Sequence, residues 1–170
     1  MSTLHFMETQ KFRQWWIWVI LLMALLIPVG AFTATYFSNK QNSLKELPAL
    51  IPAVILIGLV IVLTLSARLT TEIDEYVISY RFYPFHFSPL KIRWEDVQLA
   101  YVRNCKPILE YGGWGLRFTF RNGKAYNVMG NAGLQLQLKN GKKIFLGTQK
   151  QSDLKNFMQV LYKREIVVNK

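Results

Sequence analysis

Side chains that carry chemistry are scarce in this chain. It has one cysteine, Cys105, and two histidines, His5 and His86. One cysteine cannot form an internal disulfide, and it fits a reducing compartment. Two scattered histidines argue against a His-rich metal site. Acidic residues number 10 against 21 Lys and Arg, for a net charge of +11. Most carboxylates beyond Arg68 fall in turns: Glu72, Asp74 and Glu75 in one, Glu95 and Asp96 in another. An acid–base pair needs burial to separate its two pKa values, and turn residues are solvated. The Gly-rich stretch "GGWG" at 112–115 lacks the Lys-Ser/Thr ending of a phosphate-binding loop. The inventory predicts a protein without catalysis, metal or cofactor.

Charge is missing altogether from two long runs, Trp15–Phe37 and Leu47–Ala67. A helix of about 20 apolar residues spans a bilayer core. Buried helices of a soluble protein would keep a polar stripe, and these have none. The first run exceeds the h-region of a cleaved signal peptide, about 7–15 residues. Both runs are therefore expected as retained transmembrane helices, at about 15–37 and 47–67. Trp15, Trp16 and Trp18 at one end of the first, with Tyr36 and Phe37 at the other, suit the two headgroup levels. The joining segment Ser38–Glu46 is short, which predicts an antiparallel hairpin with both termini on one side. Lys11, Arg13, Arg68 and Arg81 outnumber Lys40 and Lys45 of the loop, so both termini are expected in the cytoplasm, at an inner membrane.

The remainder, 68–170, is long enough for one small domain. Tyr76–Phe82, Leu90–Trp94 and Val97–Val102 alternate like strands, and Leu69–Ile73 adds a short run. Asn122-Gly123 and Asn140-Gly141 each stand between strand-like runs and predict hairpins. Leu134, Leu136 and Leu138 are expected on one face, Gln135, Gln137 and Lys139 on the other. The period then changes. Leu154, Phe157, Met158, Leu161 and Tyr162 form one stripe of a helix at about 152–164, with Ser152 as its N-cap. The expected fold is α+β: a meander of about seven antiparallel strands curled into a partly open barrel, one end covered by the helix.

The order of these elements resembles a bacterial pleckstrin-homology-like (PH-like) domain. "LTTEIDEYVISYRF" followed by "PLKIRWEDVQLAYV" is similar to the opening of that family. "YGGWGLRF", "AYNVMGNAGLQLQLKNGKKIFLGTQ" and the last helix resemble a bacterial group in which two transmembrane helices precede such a domain. The end of the second apolar run sets a domain division at 67/68, and the resemblance implies a binding or scaffolding role. It implies little about activity, because the fold hosts many binding roles. Phosphoinositide recognition in such domains uses basic residues in the first hairpin. Here that hairpin holds Glu72, Asp74 and Glu75, which would repel an inositol phosphate.

The positive charge lies in this domain, with seventeen Lys or Arg against eight Asp or Glu from Arg68 onward. A basic domain tethered at an inner leaflet is attracted to it by about 1 kcal/mol per cation near the surface. Arg81, Lys91 and Arg93 are the candidate membrane contacts, with the aromatic stretch Phe82–Pro89 between them. The plainer reading makes Phe85 and Phe87 core residues and the cations a solvated face. Arg117, Arg121 and Lys124 interleave with Phe118, Phe120 and Tyr126 like a nucleic-acid stacking platform. The alternation, however, is expected to turn the rings away from the charges, which speaks against nucleic acid. The expected partners are the bilayer and a membrane or cytoplasmic protein, a second copy included. A small membrane enzyme and a nucleic-acid-binding module are the competing readings.

Gly112, Gly113, Trp114 and Gly115 are either a tight bend or a binding loop. The binding reading joins them to Tyr126, Asn127 and Asn131 in a second Gly- and Asn-rich loop. The bend reading fails if Trp114 is more than half exposed.

Overall fold

The computed structural model describes residues 4–12, 14–38, 40–164 and 166. The chain divides into two compact units, Met1–Phe12 with Ala67–Lys170, and Arg13–Ser66.

The first unit is α+β. It begins with a strand that the sequence reading left inside an N-terminal segment: β1, His5–Lys11. Its burial alternates strictly, with Phe6, Glu8 and Gln10 inward. Two of those three inward residues are polar, which is why hydrophobic alternation gave no signal. β1 pairs antiparallel with β2 (Arg68–Asp74), from His5 opposite Asp74 to Lys11 opposite Arg68. β3 (Val77–Tyr83) and β4 (Leu90–Arg93) complete a four-stranded sheet in the order β1-β2-β3-β4. The domain therefore takes residues from both sides of the 67/68 division.

A 3-10 turn at Trp94–Asp96 carries the chain to a second sheet. Trp94 is buried and its indole N–H donates to the Asp74 carbonyl (2.8 Å). The second sheet contains β5 (Val97–Asn104), β6 (Gly115–Thr119), β7 (Gly123–Asn127), β8 (Ala132–Leu138) and β9 (Lys143–Thr148). Its order is β5-β8-β9-β7-β6, and β7 runs parallel to β9. The expected meander thus gives way to a crossover in the second sheet. Both predicted Asn-Gly hairpins are present, with Gly123 and Gly141 at positive φ.

The two sheets share one core, with Leu69, Ile73, Ile78 and Phe82 from the first and Leu134, Leu136 and Leu146 from the second. A helix at Gln151–Lys163 adds Leu154, Phe157, Met158 and Leu161. It starts one residue before the expected position. Lys150 stands at its N-cap instead of Ser152, without a side-chain capping bond.

Sheet two is also covered on its other face. A short helix, Pro107–Tyr111, lies between β5 and β6, and a second cluster joins Cys105, Tyr111, Ala125 and Phe145. Gln135 is buried there, its side chain accepting from Arg103 Nε (3.1 Å). The alternation had placed Gln135 outward. A five-residue helix has too little periodicity to announce itself.

In chain order the helices are α1 (Trp15–Ser38), α2 (Lys40–Ser66), α3 (Pro107–Tyr111) and α4 (Gln151–Lys163). The second unit is α1 and α2, which contact each other. Helix α2 begins within the segment expected to be a loop. Helix α1 is long and apolar enough to cross a membrane; α2 contributes a shorter apolar stretch, Leu50–Ser66. No residue of α1 is buried. The hydroxyls of Thr33, Thr35, Ser38 and Thr64 each donate to a carbonyl about one turn back in their own helix, which satisfies them without water.

Candidate functional site

The Gly112–Gly115 stretch is built as a bend. Gly112 ends α3 in the left-handed region (φ 75°); its N–H donates to the Ile108 carbonyl and the Gly113 N–H to the Pro107 carbonyl (3.0 Å each), the usual way of closing a helix C-terminus. Gly113 and Gly115 also have positive φ. Trp114 is half-buried, its indole N–H donating to the Gly130 carbonyl (3.2 Å). Asn127 Nδ2 donates to the same carbonyl (3.0 Å). The loops at 112–115 and 128–131 therefore meet, as the binding reading required. Their contents differ from it. Tyr126 and Asn127 are buried, and only Asn131 of that trio is exposed. Tyr126 is a core residue, its ring 4.8 Å from Tyr80 and 5.7 Å from His86.

Beneath this bend lies a polar cluster that sequence reasoning missed. Arg103 donates to Glu110 Oε2 (2.7 Å) and to the Tyr111 hydroxyl (3.3 Å), and lies over the Phe145 ring (5.2 Å). Glu110 Oε1 accepts from the Lys106 N–H (2.8 Å), tying down the start of α3. The Arg103 hydrogen bond pulls the Glu110 carboxyl below its usual range, against a smaller opposing effect of burial. Burial works to lower the Arg103 pKa, but the bond and charge of Glu110 outweigh it and hold it above normal. Burial, aided by the Glu110 charge, pushes the Cys105 thiol up to about 11. Cys105 is thus a protonated packing residue at neutral pH.

The most ligand-like feature is elsewhere. A groove of about 630 Å³ opens between the exposed side of β4 and the hairpins β6–β7 and β8–β9. Its floor is Tyr80, Tyr126, Leu138 and Ile144, all buried, with Leu90 at its edge. Desolvation raises the hydroxyl pKa of both tyrosines, so both stay neutral. Phe118 and Phe120 stand beside it, 5.5 Å apart and edge to face, and Phe120 is 100% exposed. The rim carries Arg121, Lys124, Lys142 and Lys143. No carboxylate lines it, and none of the four cations joins an ion pair among the described residues. The expectation that Phe118 and Phe120 turn away from the charges is therefore corrected for Arg121 and Lys124, which share the groove with them, whereas Arg117 lies on the other face of β6, its Nε donating to the Trp114 carbonyl. Strand β6 is the edge of its sheet, and both rings reach solvent.

The candidate membrane contacts share one surface. Ser79 faces Lys91 and Val77 faces Arg93, which puts Arg81, Lys91 and Arg93 on the outward side of sheet one. Arg93 is engaged at its end of the sheet, with Glu95 at 4.0 Å and Asp96 at 3.7 Å. Phe85 and Phe87 are exposed, contrary to their plainer reading as core. Among the described residues, no group of three or more His, Cys, Asp or Glu is placed to hold a metal. Comparison with protein families, with curated proteins and with solved structures finds no match for the chain.

Proposed function

We propose that the protein is a membrane-anchored binding or scaffold module without catalysis, its basic PH-like domain presented at the cytoplasmic face. The observation that carries the binding role is the groove: an apolar floor, two bare phenylalanine rings and four cations, with no carboxylate among the described residues that line it. A groove of this size and lining suits an inserted apolar side chain with acidic flanks. The partner is therefore an acidic protein segment with an apolar or aromatic anchor.

The anchoring rests on α1 and α2. At about 1.5 Å per residue, the 24 residues of α1 extend about 36 Å, against roughly 30 Å of hydrocarbon. Such a bare apolar surface needs a cover, and internally bonded hydroxyls suit lipid. A removed signal sequence fits poorly, because β1 lies ahead of α1 and contributes core residues. The β1–β2 pairing also supports two spans. The chain enters α1 from one strand and leaves α2 into its neighbour, so it must return to the side it left.

A photo-crosslinking residue at Phe120, in the full chain in its native membranes, tests the binding role. The reading expects a protein adduct that is lost when Lys142 and Lys143 are both changed to Glu. An adduct indifferent to that charge reversal, or none, removes the groove as the site. A second reading, single-stranded nucleic acid, is favoured by the exposure of Phe118 and Phe120 beside Arg121 and Lys124. An adduct destroyed by nuclease would select it.

A further inference from the structure

The geometry points to one end of sheet one as a lipid-headgroup contact, centred on Phe85 and Phe87 with Lys11, Arg68 and Arg81. This inference rests on the membrane reading above and names the surface that the tethered domain presents to the bilayer.

The strand register assembles this end. Lys11 faces Arg68, and Arg68 faces Tyr83; one step inward, Thr70 faces Arg81. All lie on the outward side, since Leu69 and Phe82 between them are buried. The Arg68 guanidinium lies over the Tyr83 ring, 5.3 Å from its centroid. The opposite end of the same face carries the acids. Glu72 faces Met7 and Asp74 faces His5, with Glu75 in the turn beyond. Sheet one thus carries only cations at this end, whereas at the other end Lys91, in the Glu72 row, and Arg93, beside Glu95 and Asp96, stand among carboxylates that outnumber them. That difference orients the sheet in the negative potential of an anionic leaflet.

The loop after Tyr83 extends the basic end. A cis Tyr83–Pro84 bond opens it, and His86 N–H donates back to the Phe82 carbonyl (2.9 Å). The His86 ring packs inward on Tyr126, and its two neighbours point out: Phe85 is 66% exposed and Phe87 is 79% exposed. Their rings are braced at 5.8 Å from Phe82 and 6.1 Å from Tyr83. Two bare rings on a braced loop beside three cations suit the headgroup level, where aromatic rings and basic side chains both gain.

The chain fixes which end meets the lipid. Helix α2 stops at Ser66, two residues before Arg68, and α1 starts at Trp15, four after Lys11. At about 3.5 Å per residue, neither connection lets this end stray more than about 15 Å from a helix end. The acidic end lies a full strand length away.

The test uses the full chain in vesicles of phosphatidylcholine with phosphatidylglycerol. Single cysteines in a Cys105→Ser background, at Phe87→Cys, Tyr76→Cys and Ile27→Cys, carry an environment-sensitive fluorophore. Tyr76 is 78% exposed at the acidic end and serves as the matched control. Nitroxide lipids provide shallow and deep quenchers. The expected result is strong shallow quenching at 87, little at 76, and deep quenching at 27. Changing Arg68 and Arg81 to Gln should then lower the docked-to-undocked ratio at 87, by about fivefold per charge, the equivalent of roughly 1 kcal/mol each. Quenching at 87 no greater than at 76, with 27 quenched, overturns the contact and spares the membrane reading. An unquenched label at 27 sinks the membrane reading and the contact with it.

Discussion

Lys11 stands opposite Arg68 at the end of the β1–β2 ladder, with residues 12–67 spliced between these two neighbours. The β domain is therefore closed by a strand made before the helices. A protein of residues 68–170 lacks Phe6 from its core and leaves the inner edge of β2 unpaired. It is expected to aggregate or melt without cooperativity. Joining 4–12 to 67–170 through a short Gly-Ser turn should restore a sharp thermal transition by circular dichroism. A cooperative melt from 68–170 alone would show β1 to be dispensable.

Within β1, Glu8 carries the most. Its carboxylate is buried and accepts from the Thr148 hydroxyl and the Gln149 N–H, joining the first strand to the end of the last. Glu8→Ala leaves both donors without their partner and should cost about 2–3 kcal/mol in denaturant unfolding. Thr148→Val, which strands one oxygen of Glu8 and also the Lys150 N–H that donates to the Thr148 hydroxyl (3.0 Å), should cost a comparable amount. Equal and negligible losses would mean that water replaces these bonds.

The hydrophobic code accounts for how much of this was legible. β2 to β9 and α4 follow apolar alternation, Asn-Gly turns or a helical stripe, and all were readable within a residue or two. β1 was not, because it turns glutamate and glutamine inward and spends its apolar Met7 on the outside. The β7–β9 parallel pairing was not, because a crossover leaves no local mark. The site divides in the same way. Glycine and chain order pointed to the two loops as neighbours but left Gly112–Gly115 open between a bend and a binding loop. Burial of Tyr126 and exposure of Phe118 depended on which side of an edge strand stays uncovered, and only the assembled sheet decides that.

Position 133 tests how tightly sheet two is covered. A Cβ there would lie 2.5 Å from the Leu146 carbonyl oxygen and 2.4 Å from the Phe145 ring. Both are fixed in the core, so Gly133→Ala should destabilise by about 1–3 kcal/mol. Gly141→Ala meets nothing within 4 Å but sits at φ 79°, so backbone strain alone should cost about 1 kcal/mol. A reversed order in urea midpoints would mean that Phe145 yields freely.

The Arg103–Glu110 pair makes an acid-sensitive brace for α3. The folded state holds the Glu110 pKa down, chiefly through the Arg103 hydrogen bond. Its contribution is complete above the unfolded carboxylate range, about pH 4.3, and fades as pH falls toward the lower folded value. Glu110→Gln should therefore lose about 1 kcal/mol at pH 7, and the gap to the parent should narrow between about pH 5 and pH 3. A pH-independent gap would assign the loss to packing instead of charge.

Topology offers the sharpest separation of readings. The β1–β2 ladder forces the chain back to its starting side, so α1 and α2 cross together or neither does. In a Cys105→Ser background, a cysteine at Asn42, between the apolar runs, should react with an impermeant thiol reagent in intact cells. A cysteine at Tyr76 should stay protected until the cells are opened. The reverse pattern would keep two spans and invert the orientation inferred from Lys11, Arg13 and Arg68. Equal labelling of both sites in intact cells would place them on the same side, leaving α1 and α2 to be covered by protein instead of lipid.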